Sequence, residues 1–419
     1  MSLATVRSSR SIYTLITVGS LLVGLVAVIR GTSAFVTPAD SDLHNYFFKS
    51  ADQILQGHPG SIYIARGDPP LQDIPNDDPP LIDFLIAPVL ALARLISSDF
   101  RLQVAIVCLP FLLAVPLLGT LTLRALRGVA PSATAAQRQL VYALICFSPL
   151  LWIAFAPWGH LEIPLMLCAL IGTMLALQSR RDLLAGFLAA VALFTSLTAL
   201  FPLLALLALL VATGHGRTAV RVVVVSAVVF AVAMSPFLLA DRHDTVYSLI
   251  TWRPSRSIGG NSIWALVNVD RPASLASLLR RLDTPAMVLF AAAAGWFAGR
   301  RLGVSLFGAD AWAVMAVGAL ALPMLVKANW PYYYAAPFVL LLVWESARLG
   351  RADRSRTLPV VSIIFLAVTS TLVQYIGMQS IGLGDRVITG ITEFVAMAAT
   401  ALVVMHLVAS APSTEQTVL

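Results

Sequence analysis

The sequence predicts an all-helical membrane protein that crosses the bilayer many times. Of its 419 residues, 58% are hydrophobic and only 12% are charged, whereas soluble domains carry about 25% charged residues. Apolar runs of about 15–25 residues recur along the chain, which is the length that a helix needs to cross a hydrocarbon layer of about 30 Å. The sequence pattern does not contain the short alternating strands of a membrane barrel, so helices are expected throughout.

We expect about twelve transmembrane helices. They are placed at residues 11–30, 102–123, 139–156, 161–177, 183–195, 198–213, 219–240, 285–299, 310–326, 332–347, 357–376 and 387–409. The short pair at 183–213 could instead be two half-crossings or one long kinked helix. A single transmembrane domain would cover residues 1–410, followed by a short cytoplasmic tail at 411–419.

Two further helices are expected to lie at the outer membrane interface, at residues 43–56 and 81–97, inside a first outer loop formed by residues 31–101. The second of them is interrupted by Asp83, Pro88 and Arg94, which makes it a poor candidate for crossing the membrane. Counting positive charges in the following loops supports the same placement.

The charge pattern predicts the orientation of the chain. Arg7 and Arg10 precede the first span and place the N-terminus in the cytoplasm, although a signal peptide cleaved near Ala34 is an alternative. Most carboxylates then lie on the extracytoplasmic side of the membrane, which would be the plasma membrane if the source is bacterial. Because loop arginines account for the net charge of +7, we expect membrane lipids as partners and no nucleic acid.

The most acidic stretch is the first outer loop, where Asp40 and Asp42 follow the first span. One of two such carboxylates can act as a general base, while the other orients an acceptor or holds a metal. A divalent cation on Asp40 and Asp42 is therefore possible, although two carboxylates alone would hold it loosely. The alternative is a solvated loop, or a cap on the helix that begins at Leu43.

The residues after Asp42 form a recognisable order: His44, Tyr46, Gly57, Pro59 and the corner Pro79-Pro80-Leu81. This order resembles the GT-C superfamily of membrane glycosyltransferases. It is similar above all to the mannosyltransferase that adds the first mannose to glycosylphosphatidylinositol, and to bacterial polyprenyl-phosphomannose-dependent enzymes. One departure is Asp77-Asp78, which stands where those families often have a tyrosine.

The resemblance implies an inverting glycosyltransferase that takes a sugar, with mannose expected, from a polyprenyl-phosphate donor. The acceptor would be a glycolipid or glycan on the extracytoplasmic face. In these families an aspartate of the first outer loop is the base, a role that falls on Asp42 or Asp40, with Asp42 preferred.

Three later stretches are candidates for donor binding. His160 and Glu162 follow Trp158-Gly159, where the family has a polar turn that faces the cavity; an interfacial anchor is the alternative. Arg253, Arg256 and Asn261 lie beside a Gly-Gly pair, a composition that suits a phosphate but also a lipid headgroup. Lys327 ends a span and could neutralise the donor phosphate. The turn at residues 194–198 lacks the lysine that the families commonly have there.

Two competing functions remain open at this stage. A transporter or flippase of a lipid-linked substrate would need ionisable groups within spans, and Gln374 and Glu393 are the polar groups that leave room for one. A catalytically inactive relative is the other, because of the missing lysine and the altered corner at Asp77-Asp78.

Overall fold

A computed structural model describes residues 3–37, 41–64, 76–155, 159–252, 262–267, 281–327, 329–352, 358–377 and 383–410. Within these ranges the regular structure consists of α-helices with short 3-10 and π-helical turns, and no strand occurs. The predicted all-helical class is therefore confirmed. The chain forms two compact units, and each is described below by itself.

The first unit contains Met1–Leu200, Val220–Ser257 and Leu349–Leu358. Its helices are α1 (Leu3–Ala34), α2 (Lys49–Leu55), α3 (Leu81–Ile96), α4 (Phe100–Phe111), α5 (Ala114–Val129), α6 (Ala135–Cys146), α7 (Pro149–Trp152), α8 (Glu162–Gln178), α9 (Asp182–Thr195), most of α11 (Gly216–Ala240) and α12 (Arg242–Val246). Helix α8 packs against α9 and α5, while α1 packs against α4 and α6.

The second unit contains Phe201–Ala219, Ile258–Arg348 and Pro359–Leu419. Its helices are α10 (Leu200–Ala212), α13 (Asp283–Arg301), α14 (Asp310–Leu325), α15 (Ala335–Ala352), α16 (Val360–Gly377) and α17 (Leu383–Ala409). Helix α14 is buried along its whole length from Ala311 to Met324 and packs against α13 and α17. The Glu345 carboxylate of α15 accepts hydrogen bonds from the Val361 and Ser362 amides, at 2.8 Å each, and so caps the start of α16.

Four described stretches are long and apolar enough to cross a membrane: Ser11–Ala34, Phe100–Val129, Gly216–Ala240 and Val387–Ala409. Shorter apolar helices occupy Glu162–Gln178, Asp182–Thr195, Leu197–Ala212, Asp310–Leu325 and Val360–Val373. These helices confirm an integral membrane protein, whereas the count of twelve spans and the direction of insertion stay predictions.

One expected span is interrupted, and one expected pair of helices is present as two. The stretch at 139–156 is divided into α6 and α7, because Ser148 takes an extended conformation ahead of Pro149, which disfavours the helical form of the residue before it. The segments expected at 183–195 and 198–213 are two helices, α9 and α10, and not one long kinked helix, since Ser196 is extended between them.

The expected helices of the first outer loop are present. A π-helical turn, Leu43–Phe48, runs directly into α2, and α3 covers the second predicted segment. Arg94 of α3 forms a two-pronged ion pair with Asp52 of α2, and α3 buries Ile86 and Leu90 while it exposes Leu95. Their interfacial position stays a prediction, but the pair forms a fixed frame for the acidic loop.

Candidate functional site

The site in the first unit begins with a glycine. Gly159 has φ +70°, and a Cβ atom added there would lie 2.5 Å from the Leu43 amide nitrogen. A residue with a side chain therefore cannot take this position without displacing the backbone of the π-helical turn. The Gly159 amide donates to the Phe155 carbonyl at 2.5 Å and the His160 amide to the Ala154 carbonyl at 2.7 Å. These contacts bring His160 against the residues that follow the first span.

His160 lies between two carboxylates. Its Nδ1 atom is 2.7 Å from Glu162 Oε1, which is hydrogen-bond distance, and its Nε2 atom is 3.8 Å from Asp42 Oδ2. Glu162 is almost fully buried at 1% exposure, whereas the Asp42 side chain keeps 29% of its surface exposed. The more buried carboxylate thus fixes the imidazole, and the more accessible one lies where a small molecule can reach it.

The charge of this group is set by its carboxylates. Burial alone would lower the pKa of His160, but the negative charge and hydrogen bond of Glu162, with further contributions from Asp78 and Asp42, raise it to about 9. The imidazole is therefore positively charged at neutral pH when only protons are available. The two carboxylates, Glu162 and Asp42, therefore favour the positively charged form of the imidazole between them.

Asp42 does not cap the helix that follows it. Its side chain accepts no capping hydrogen bond at the start of the Leu43–Phe48 turn, whereas Ser41 Oγ accepts one from the His44 amide at 3.3 Å. The capping alternative for Asp42 is therefore wrong. Its carboxylate is directed toward His160 instead.

A second carboxylate network lies beside this group, and sequence reasoning missed it. The side-chain amide of Asn76 donates to both oxygens of Asp83, at 3.2 and 3.0 Å, and to Ser50 Oγ at 3.0 Å. The Asn76 side-chain oxygen accepts from the Asp78 amide at 3.1 Å, and Tyr63 donates to the Asp78 carbonyl at 3.2 Å. The network therefore fixes the backbone of Asp78 just before the proline corner.

Asp83 is completely buried within α3. Burial raises its pKa well above the usual value, and the nearby charges of Asp78 and Glu162 raise it further, while the hydrogen bond from Asn76 lowers it. The carboxylates around His160 are thus close enough to influence one another.

Three of these side chains could hold a metal ion. Asp78, His160 and Glu162 are all buried, and one donor atom from each lies within 4.8 Å of the other two. This set differs from the expected pair, Asp40 and Asp42, which stays untested because Asp40 lies outside the described residues.

Of the expected donor-binding residues, Arg253, Arg256 and Asn261 also lie outside the described residues. Lys327 belongs to the second unit, where it is buried at 3% exposure with its Nζ atom 3.9 Å from Asp283 Oδ1. Asp283 was not expected to contact it. The structure thus brings Asp42, His160 and Glu162 together, and the part of Lys327 in phosphate binding stays a prediction.

Glu393 lies inside α17 and is also buried, at 1% exposure. Asn329 donates its side-chain amide to Glu393, to the Pro323 carbonyl at 3.0 Å and to the Tyr334 hydroxyl at 3.1 Å. This polar cluster is confined to the second unit.

The fold is similar to that of ArnT from Cupriavidus metallidurans, a solved structure with undecaprenyl phosphate bound, with a TM-score of 0.52. This likeness agrees with the membrane fold that the resemblance in the first outer loop implied. The matched region covers 94% of this chain and 77% of the ArnT chain, with 14% of residues identical. Compared by sequence, the chain matches no family profile and no curated protein.

Proposed function

We propose that this protein is an inverting glycosyltransferase that moves a sugar from a polyprenyl-phosphate donor to a hydroxyl group of a glycolipid or glycan. The observation that supports the proposal most directly is the partly exposed carboxylate of Asp42, which lies 3.8 Å from His160. The ArnT-like fold supports the class of donor. Mannose is the sugar that the resemblance favours.

The reaction assigns Asp42 the part of the general base. As the acceptor oxygen forms its bond to the anomeric carbon, the bond from that carbon to the phosphate oxygen breaks, and Asp42 takes the hydroxyl proton. The polyprenyl phosphate leaves with the electron pair of the broken bond. Attack from the side opposite the leaving group inverts the anomeric centre.

His160 and Glu162 act through Asp42 in this proposal. The Glu162 carboxylate holds the imidazole by the 2.7 Å contact, and the imidazole faces Asp42 with its other nitrogen. Orientation of a base by a fixed neighbour is a common source of catalytic efficiency. Arg253, Arg256, Asn261 and Lys327 are proposed to stabilise the phosphate of the donor and of the leaving group.

The test is a transfer assay with the purified full chain and a panel of radiolabelled polyprenyl-phosphate sugars, with mannose first. Asp42→Asn keeps the size and shape of the side chain but removes the base, so turnover should fall by about 10²–10⁴-fold. The donor's dissociation constant should stay unchanged. Wild-type turnover in Asp42→Asn, or no transfer from any donor by the wild type, would reject the proposal.

Asp244→Asn is the matched control, because Asp244 of helix α12 also lies beside a histidine, with Oδ1 3.3 Å from Nδ1 of the exposed His243. Its turnover should equal that of the wild type. Donor binding without transfer by the wild type would favour the inactive relative.

A flippase is the second candidate, and Glu393 is the observation that favours it, because buried carboxylates within a span often mark a transport path. The hydrogen bond that Glu393 accepts from Asn329 explains the buried carboxylate equally well as a structural contact. Reconstituted vesicles with a fluorescent polyprenyl-phosphate sugar separate the two: movement between leaflets that is lost in Glu393→Gln supports transport.

A further inference from the structure

Glu162 carries a buried oxygen with no evident use. Its Oε1 atom contacts His160, but Oε2 is buried and has no hydrogen-bond partner among the described residues. A buried carboxylate oxygen without a partner is costly, typically by about 1–3 kcal/mol or more for a charged group. An additional positive group at this point would remove that cost.

The donor atoms for such a group are already assembled. Asp78, His160 and Glu162 are 4%, 9% and 1% exposed, and one donor atom from each lies within 4.8 Å of the others. Two carboxylates and a divalent ion are electrically neutral together, which is the condition for charge in a buried site. The Asp78 backbone is held in place by Asn76 and Tyr63, and side-chain movement would shorten these separations to those of metal bonds of about 2.0–2.2 Å.

We propose that Asp78, His160 and Glu162 bind one divalent first-row metal ion, with Zn²⁺ bound more tightly than Mn²⁺. One imidazole and two carboxylates are the ligands of such ions, whereas Mg²⁺ and Ca²⁺ prefer oxygen alone. Three protein ligands also leave a position open for water or for an oxygen of a bound molecule. The ion would displace the imidazole proton, as metal ions do at histidine ligands.

The position of the site relative to Asp42 gives the ion a structural part. An ion bound at His160 Nδ1 fixes the tautomer with the hydrogen on Nε2. That nitrogen is the atom that lies 3.8 Å from Asp42 Oδ2. Binding of the ion does not depend on glycosyl transfer, so it is tested in the absence of any substrate.

The experiment uses the full chain without a histidine tag, stripped with a chelator and then equilibrated with ZnCl₂ in detergent. After desalting, mass spectrometry of the metal content should find one Zn²⁺ per wild-type chain. Glu162→Gln should weaken binding by about 10-fold or more, the size that loss of a ligand produces. Asp244→Asn, at the exposed His243 pair, should bind like the wild type.

The proposal is overturned if the wild-type chain retains no Zn²⁺ after equilibration with ZnCl₂ and desalting, whatever the variants do. Equal binding by Glu162→Gln and the wild type overturns it as well. X-ray absorption at the zinc edge adds a check that does not require a variant, since the expected ligand shell is nitrogen and oxygen at about 2.0–2.2 Å. A sulfur shell at about 2.3 Å would place the ion on cysteine and contradict the assignment.

Discussion

Gly159 lies so close to Leu43 that a Cβ atom at Gly159 would come to 2.5 Å from both the amide nitrogen and the Cβ atom of Leu43. This approach joins the turn that carries His160 to the turn that carries Asp42. The relative position of the two side chains therefore depends on the absence of one carbon atom.

Gly159→Ala should separate the two turns. The variant combines a left-handed backbone, φ +70°, with a clash against backbone atoms, so we expect a loss of about 2–4 kcal/mol in the free energy of unfolding and a strong loss of transfer. Gly57→Ala is the control, because Gly57 has φ +83° but no atom within 4 Å of the added Cβ. It should lose only about 1–2 kcal/mol. Equal thermal midpoints for the two variants would show that the contact with Leu43 is unimportant.

Ser41 and Asp42 should affect different properties when they are changed one at a time: Ser41 the stability of the fold, and Asp42 the transfer reaction. Ser41→Ala removes the hydrogen bond to the His44 amide, so the free energy of unfolding should fall by about 0.5–2 kcal/mol. Asp42→Asn removes a charge that lies 3.8 Å from His160 but no cap, so it should cost at most about 1 kcal/mol of stability, while transfer is lost. Thermal unfolding and the transfer assay on the same preparations check both. A larger stability loss in Asp42→Asn than in Ser41→Ala contradicts this division.

Asn76 and Asp83 should be coupled. Asn76→Ala leaves a fully buried carboxyl group without its donor, which should cost about 1–3 kcal/mol of folding free energy. The double variant Asn76→Ala/Asp83→Ala removes both groups and should be more stable than the sum of the single changes predicts. The measurement is a double-mutant cycle from thermal unfolding, and strict additivity of the two changes would mean that the network is not a unit.

Asp83 should also make stability depend on pH. Its pKa is raised in the folded state, mainly by burial, so the folded chain binds the proton more tightly than the unfolded chain. The contribution is complete below the unfolded pKa, near 3.9, and is lost as the pH rises toward the raised folded value. Asp83→Asn should therefore flatten the fall in thermal midpoint as the pH rises above about 4. An unchanged slope would show that other groups cause the dependence.

Lys327 and Asp283 should protect one another. Lys327→Met leaves the buried carboxylate of Asp283 without its positively charged partner. The free energy of unfolding should fall by about 3 kcal/mol, and the double variant Lys327→Met/Asp283→Asn should recover much of this loss. The donor's KM in the double variant then reports on the phosphate: an increase supports a role of Lys327 in donor binding. A KM equal to that of the wild type would mean that Lys327 only pairs with Asp283 and does not bind the donor.

Part of this arrangement is predictable from sequence. The outer placement of charged residues relative to the apolar runs put Asp42, His160 and Glu162 on one side of the membrane, and the order of residues after Asp42 indicated the GT-C fold. Their contact distances could not be predicted, because they depend on the φ of Gly159 and on its approach to Leu43. Patterns along a chain contain no such information.

Other features were missed for related reasons. Asp83 was interpreted, together with Pro88 and Arg94, as an interruption of an apolar run, and its burial was not predicted. Asn76, seven residues earlier, supplies its hydrogen bonds. The pair Asp77-Asp78 before the proline corner was the sequence feature that could have indicated the buried carboxylate network. It was noted only as a departure from related families. Lys327 likewise found a partner, Asp283, that lies far away in sequence.

Helix α9 has 14 residues, and at 1.5 Å per residue it is about 21 Å long. It starts at Asp182, whose carboxylate pairs with Arg221 at 3.2 Å, and it ends before the hydroxyls of Ser196 and Thr198. The hydrocarbon of an ordinary bilayer is about 30 Å thick, so α9 is shorter than the layer that its predicted span would cross. As a span it would require thinner lipid beside it, and we expect membranes with shorter acyl chains to suit this protein better than thick ones.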